Sequence, residues 1–274
     1  MSKSEGDKLY ALAARQGEIF KRVRNGGLSI DSALAGTQGI LDGIYPIKTF
    51  EYQPPGWYVG PESQAKRVQQ LLDRTGCVVT IPEPPAKFKQ RTSTEVLMLV
   101  AYLSCDNLHA MAGVERTNKV WWDFIVPPKG HTKDRWEELK TDPGHLRLIT
   151  DETNPDEIKK HHSGVRWVAF DPNANQGKSP RSCWNDPEVA PKLASAEVLM
   201  AVALFPKWAL SWNGASSLHP NMSGYQFFDG RDWNMTLCIT PLVTPWVEST
   251  RLKLNVNLAN SSQDSWSNPT VREL

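Results

Sequence analysis

Leu252-Lys-Leu-Asn-Val-Asn-Leu258 is the stretch that decides the fold. Apolar and polar residues alternate strictly, and in an extended chain successive side chains point to opposite faces. Leu252, Leu254, Val256 and Leu258 are expected inward, with Lys253, Asn255 and Asn257 outward. Burying those four apolar side chains contributes about 6–12 kcal/mol gross. A slip of one residue would bury Lys and Asn instead, so the pattern sets the register. Such a strand belongs to an antiparallel sheet with one wet face. Helical signals stop after residue 205, and 222–274 reads as consecutive strands. The carboxy-terminal part is therefore expected to be all-β, and the chain α+β with a mainly antiparallel sheet.

Working towards the amino terminus, Ser93-Thr-Glu-Val-Leu-Met-Leu-Val-Ala-Tyr-Leu103 and Ser195-Ala-Glu-Val-Leu-Met-Ala-Val-Ala-Leu-Phe205 match at 7 of 11 positions, 102 residues apart. Both are apolar without alternation, which fits a strand buried on both faces or a short core helix. Between them, Arg116–Ile125 reads as a Trp-bearing helix, and Thr132–Leu139 as another, capped by Thr132. His145–Ile149 and Val165–Phe170 read as short strands. Residues 93–274 form the expected main domain. Residues 44–92 are a Pro-rich connecting segment with one helix, in which Gly60 and Pro61 supply the start, Glu62 complements the helix dipole, and Val68, Leu71 and Leu72 form the apolar face. Residues 1–43 carry two amphipathic stretches, 7–24 and 31–41, ended by Gly26-Gly27 and Asp42-Gly43. These predict a helical hairpin for docking or self-association through residues 7–43.

Composition mainly excludes. Of the 274 residues, 31 are Lys or Arg and 30 Asp or Glu, so no global field draws in nucleic acid or an anionic membrane. Apolar runs of 8 residues, Val96–Leu103 and Val198–Phe205, fall far short of a membrane span. The start, MSKSEGDKLYALAARQ, lacks a signal-peptide core, and a cytoplasmic setting is expected. The four cysteines, Cys77, Cys105, Cys183 and Cys238, are dispersed, without a Cys-x-x-Cys pair, as reduced thiols would be.

Catalytic motifs are equally sparse. Gln176-Gly-Lys-Ser179 resembles the end of a phosphate loop, but Pro172 occupies the place of its first glycine. No dinucleotide fingerprint or nucleophile elbow is present, and no cofactor is expected. Asp151, Glu152, Asp156, Glu157, His161 and His162, with His145, are the densest group of metal-capable side chains, and a polar solvated stretch accounts for them. Cys105 and His109 have thiolate–imidazole spacing without a third orienting group.

The carboxy-terminal half is distinguished by tryptophan: 10 of 11 lie beyond residue 120. Trp208, Trp212, Trp233, Trp246 and Trp266 are interleaved with Asn213 and other Asn and Asp residues, as a ring-stacking ligand or a protein partner would require. Trp212-Asn213-Gly214 is the most site-like piece, a polar loop presenting one aromatic.

Ala14–Val23, Asp31–Leu34, Gly39–Gly43, Thr94–Leu97, Arg135–Lys140, Gly164–Asn173 and Pro269–Glu273 together resemble uncharacterised predicted proteins of uncultured bacteria. That resemblance implies a bacterial setting and carries no activity. The short strands, many Trp and polar loop also resemble C-type-lectin-like domains, including the variable proteins of diversity-generating retroelements, although the lectin disulfides are missing. The expected function is non-enzymatic binding of a protein or carbohydrate through Trp208, Trp212, Asn213, Trp233, Trp246 and Trp266. The alternative is a hydrolase using the His and carboxylate cluster around 151–171. A third reading, nucleic-acid binding through Lys21-Arg22-Val-Arg24, ranks below a solvated helix face.

Overall fold

Two sheets with helices packed between and around them make up the computed structural model. It describes residues 54–103, 110–127, 132–134, 145–149, 164–210, 219–228, 230–243, 250–264 and 266–274. All of these fall in one compact unit, Tyr52–Leu274. The expected hairpin at 1–43 lies outside the described residues.

The helices are α1 (Pro61–Thr75), α2 (Ala110–Phe124), α3 (Pro180–Trp184), α4 (Ala196–Leu204) and α5 (Pro206–Leu210). The strands are β1 (Val96–Tyr102), β2 (Thr132–Lys133), β3 (Leu146–Leu148), β4 (Gly164–Asp171), β5 (His219–Phe227), β6 (Met235–Val243), β7 (Thr250–Leu258), β8 (Trp266–Ser267) and β9 (Thr270–Glu273). One sheet has the order β1-β4-β9 and is antiparallel throughout. The other has the order β2-β7-β6-β5-β3, with β8 alongside β5; only β2 on β7 and β8 on β5 run parallel. The fold is thus α+β with a β-rich carboxy-terminal part, as the alternation in β7 predicts.

The two echoed segments adopt different structures. Ser93–Leu103 gives β1, buried at every position, and Ser195–Phe205 gives α4, likewise buried at every residue. Four differences separate them. Thr94, Leu99, Tyr102 and Leu103 stand where Ala196, Ala201, Leu204 and Phe205 stand in the helix. Two alanines favour the helix, and Thr and Tyr favour the strand. The environments complete the choice. α4 packs against α2, α5, β1 and β5 and, Glu197 apart, is apolar on all sides, as a central helix must be. β1 pairs with β4 along its whole length.

β1 is an edge strand, and its outward backbone groups are sealed by side chains. Gln64 of α1 donates from Nε2 to Leu97 O at 3.1 Å and accepts Leu99 N–H on Oε1 at 2.9 Å. Trp121 Nε1–H donates to Ala101 O at 2.7 Å, and Thr117 Oγ1 accepts from Leu103 N–H at 2.8 Å. Gln90 takes Glu95 O at 2.6 Å. The helix α1 begins at Gly60-Pro61 and ends at a left-handed Gly76, as expected, with Val68, Leu71 and Leu72 buried. Trp167 Nε1–H donates to Pro82 O at 2.8 Å, so the Pro-rich stretch also packs within this unit.

Three local expectations are corrected. The start of the expected Thr132–Leu139 helix is a strand, with 135–139 outside the described residues: Thr132–Lys133 pair with Arg251–Leu252, and Asp134 N–H continues onto Leu252 O at 3.0 Å, so the sheet takes these backbone groups. A helix does follow residue 205, the short α5. At the end of β7 the alternation is inverted, with Asn257 buried and Leu258 54% exposed. Asn257 Nδ2 donates to Asn221 Oδ1 at 3.2 Å, and Asn221 Nδ2 to Asn268 Oδ1 at 3.2 Å. Asn268 Nδ2 in turn reaches Lys178 O at 2.8 Å. The face expected to be wet is therefore dry here, its amides satisfied by one another and by the turn before α3.

Candidate functional site

A bulge in β5 organises the region between the sheets. Asn221–Met222 pair with Cys238–Leu237, the next pair is Phe227 with Met235, and β5 carries the surplus residues. Thr236 Oγ1 donates to Met222 O or Tyr225 O, both at 3.0 Å, which fixes the bulge. Gly224 sits inside it. A Cβ there would lie 2.8 Å from both Leu193 O and Ser195 Cβ, so only glycine admits the crossing segment. That segment brings Ser195 to Glu197 at the start of α4.

Glu197 is 5% exposed, and three donors occupy its carboxylate. Ser195 N–H donates to Oε2 at 2.7 Å, Ser195 Oγ–H to the same oxygen at 3.0 Å, and Tyr102 Oη–H to Oε1. The group ties α4 to β1, and its position at the helix start is electrostatically favourable. A cleft of about 270 Å³ opens above it, with Arg166, Lys192 and Arg272 among its lining residues. Two of these cations are already engaged: Arg166 Nε lies 3.0 Å from Glu273, and Arg272 forks onto Glu95 with both contacts at 3.0 Å. With Ser195 1% exposed and three donors already on the Glu197 carboxylate, the cleft floor is a structural bracket.

Burial shifts the neutral acids nearby. Desolvation, then the Glu197 charge, hold the Tyr102 and Tyr225 phenols well above their usual range, and desolvation pushes the Cys238 thiol up to about 12. In the unfolded chain Cys238 ionises near its ordinary value of 9.0. These groups therefore contribute stability that is full below about pH 9 and is lost as pH rises through their folded values. Thermal melts should fall steadily above about pH 9, and Cys238→Ala should flatten part of that slope. An unchanged melting temperature across the alkaline range would refute the assignment.

The expected tryptophan site is dispersed. Trp208 is a core residue, 2% exposed, because α5 follows α4 directly and turns its ring onto Phe170, at 5.8 Å, and Trp57, at 5.9 Å. Trp212, Asn213 and Trp246 lie outside the described residues. Trp266 is half-buried at the start of β8, paired with His219 at the first residue of β5, their rings 6.2 Å apart. Trp233 is half-buried beside Phe228, 5.3 Å away, at the other end of β5. At the rise of a strand, those ends are roughly 25 Å apart. The two rings thus form no common platform.

The cluster around 151–163 and the Cys105–His109 pair lie outside the described residues. Asp171, the described acid of the hydrolase set, accepts from Thr92 Oγ1 at 2.7 Å, Thr94 Oγ1 at 2.6 Å and Asn173 N–H at 3.1 Å. It pins the start of β1 to the end of β4. Among the described residues no three His, Cys, Asp or Glu side chains gather as a metal site.

What the sequence alone does not reveal is the partner of Trp233. Arg147 of β3 pairs with Gln226 of β5, its Nε–H donating to Gln226 Oε1 at 2.6 Å. Its guanidinium lies over the Trp233 ring, 4.3 Å from the centroid. The alternation Leu146-Arg147-Leu148, buried at both leucines, announces that Arg147 faces away from the core. Nothing local announces Gln226, 79 residues away. This half-buried group of Arg, Gln, Trp and Phe is the candidate recognition surface. No family model, curated protein or solved structure matches the chain.

Proposed function

We propose that this chain is a non-enzymatic binding protein that engages a protein partner through the Trp233 end of its second sheet. The observation that carries the reading is the ordered stack of Arg147 on Trp233, with Phe228 against the same indole. Rigid aromatic area bordered by a fixed arginine is the composition of an interface anchor. A sugar would need an open indole face, and the guanidinium occupies one at 4.3 Å, which favours a protein over a carbohydrate. No helix among the described residues is long and apolar enough to cross a membrane.

Panning a peptide library against the full chain, with counter-selection on Trp233→Ala and a glycan array in parallel, tests the reading. Enriched peptides should lose about tenfold in affinity for the variant, the loss of one anchoring contact. The melting temperature should stay within a few degrees, because Trp233 is outside the core. Peptides that bind both proteins equally, or a glycan held through Trp233, would overturn the proposal.

A further inference from the structure

We infer that the group seated on this surface is a carboxylate of the partner, held bidentately by the free fork of Arg147. The inference rests on the recognition surface proposed above and names its ligand chemistry. Arg147 stands at the middle of β3 with Leu146 and Leu148 turned inward. Gln226 Oε1 takes its Nε–H at 2.6 Å, and the Trp233 ring supports the guanidinium plane at 4.3 Å. A guanidinium has five N–H donors, and this one spends one of them. Among the described residues, the two Nη groups of Arg147 donate to no partner.

Three consequences follow for what binds. Two contacts already order a side chain that is otherwise rich in rotamers, so a ligand meets a fixed fork. Two parallel N–H···O bonds match the spacing of a carboxylate's oxygens. The charge suits a monoanion, since one guanidinium balances one negative charge. A phosphate is therefore the weaker ligand.

The test uses the full chain and a fluorescein-labelled oligoglutamate peptide, with oligoglutamine as control and inorganic phosphate as competitor. Oligoglutamate should bind saturably, and Arg147→Lys, which keeps the charge and loses the fork, should weaken it about tenfold. Gln226→Leu, which frees the guanidinium without removing it, should weaken it several-fold. Lys253→Ala, elsewhere on the sheet, should change nothing. Peptide bound equally by Arg147→Lys would mean diffuse electrostatics and overturn the inference, as would phosphate displacing the peptide at equal concentration or no saturable binding. If library peptides depend on Trp233 but not on Arg147, the carboxylate inference falls and the recognition surface stands. If they depend on neither, both fall.

Discussion

Gln64→Leu lowers the unfolding free energy by about 2–6 kcal/mol, because it strands two buried backbone groups at about 1–3 kcal/mol each. The side chain occupies the place of a neighbouring strand, its amide completing the Leu97 carbonyl and the Leu99 N–H as a backbone would. Gln64 is 0% exposed, so water cannot enter to take over. Leucine preserves most of the volume, which separates the lost hydrogen bonds from a cavity effect. Urea unfolding should show a lower midpoint at an unchanged slope. Gln64→Glu discriminates further: its carboxylate still accepts from Leu99 N–H but cannot donate to the Leu97 or Val59 carbonyls. It should be worse than wild type at neutral pH and recover in part in acid, when protonation restores a donor. A loss below about 1 kcal/mol for Gln64→Leu would mean that the edge is satisfied in another way.

Asn268→Leu is the second large effect, expected at about 3–6 kcal/mol from stranding buried groups. Asn268 is 0% exposed and joins two elements that share no ladder. Its Oδ1 accepts from Asn221 Nδ2 and Ser223 Oγ, and its Nδ2 donates to Lys178 O at 2.8 Å. An apolar side chain leaves the β5 donors and the turn carbonyl unpaired together. Hydrogen exchange should then quicken first at Gly177, whose N–H bonds Trp266 O at 2.9 Å beside the same knot. Asn268→Asp keeps the acceptor, so it should retain the β5 contacts and loosen the turn. Equal exchange at Gly177 in both variants and wild type would contradict this account.

Local pattern was a reliable guide wherever the determining interactions were local. The alternation over Leu252–Asn255 of β7, the Gly-Pro start and apolar face of α1, and the strand texture of β3 and β4 all reappear in the fold. It failed where remote contacts decide. The echoed segments share seven of eleven residues yet divide into strand and helix, because neighbours on both sides complete a choice that the short apolar run leaves open. Asn257 reads as a solvent residue until Asn221 is placed beside it. Trp208 and Trp233 look equivalent in sequence. One enters the core on a helical turn, whereas the other meets an arginine whose position depends on the register of β3 against a bulged strand. The aromatic half of the candidate surface was legible, and its cationic half was not.

The sealed edge of β1 also guards against self-association. Val-Leu-Met-Leu-Val-Ala-Tyr is an uncharged, strongly apolar heptapeptide without proline, the composition of a cross-β seed. In the folded chain every outward group named along it is already spoken for by Gln64, Trp121 or Thr117, so it offers no template to another copy. The same side chains that stabilise the fold thus stand as a barrier to fibre growth, and any event that lifts α1 away, such as proteolysis within the helix, turns a strand buried at every residue into an adhesive one.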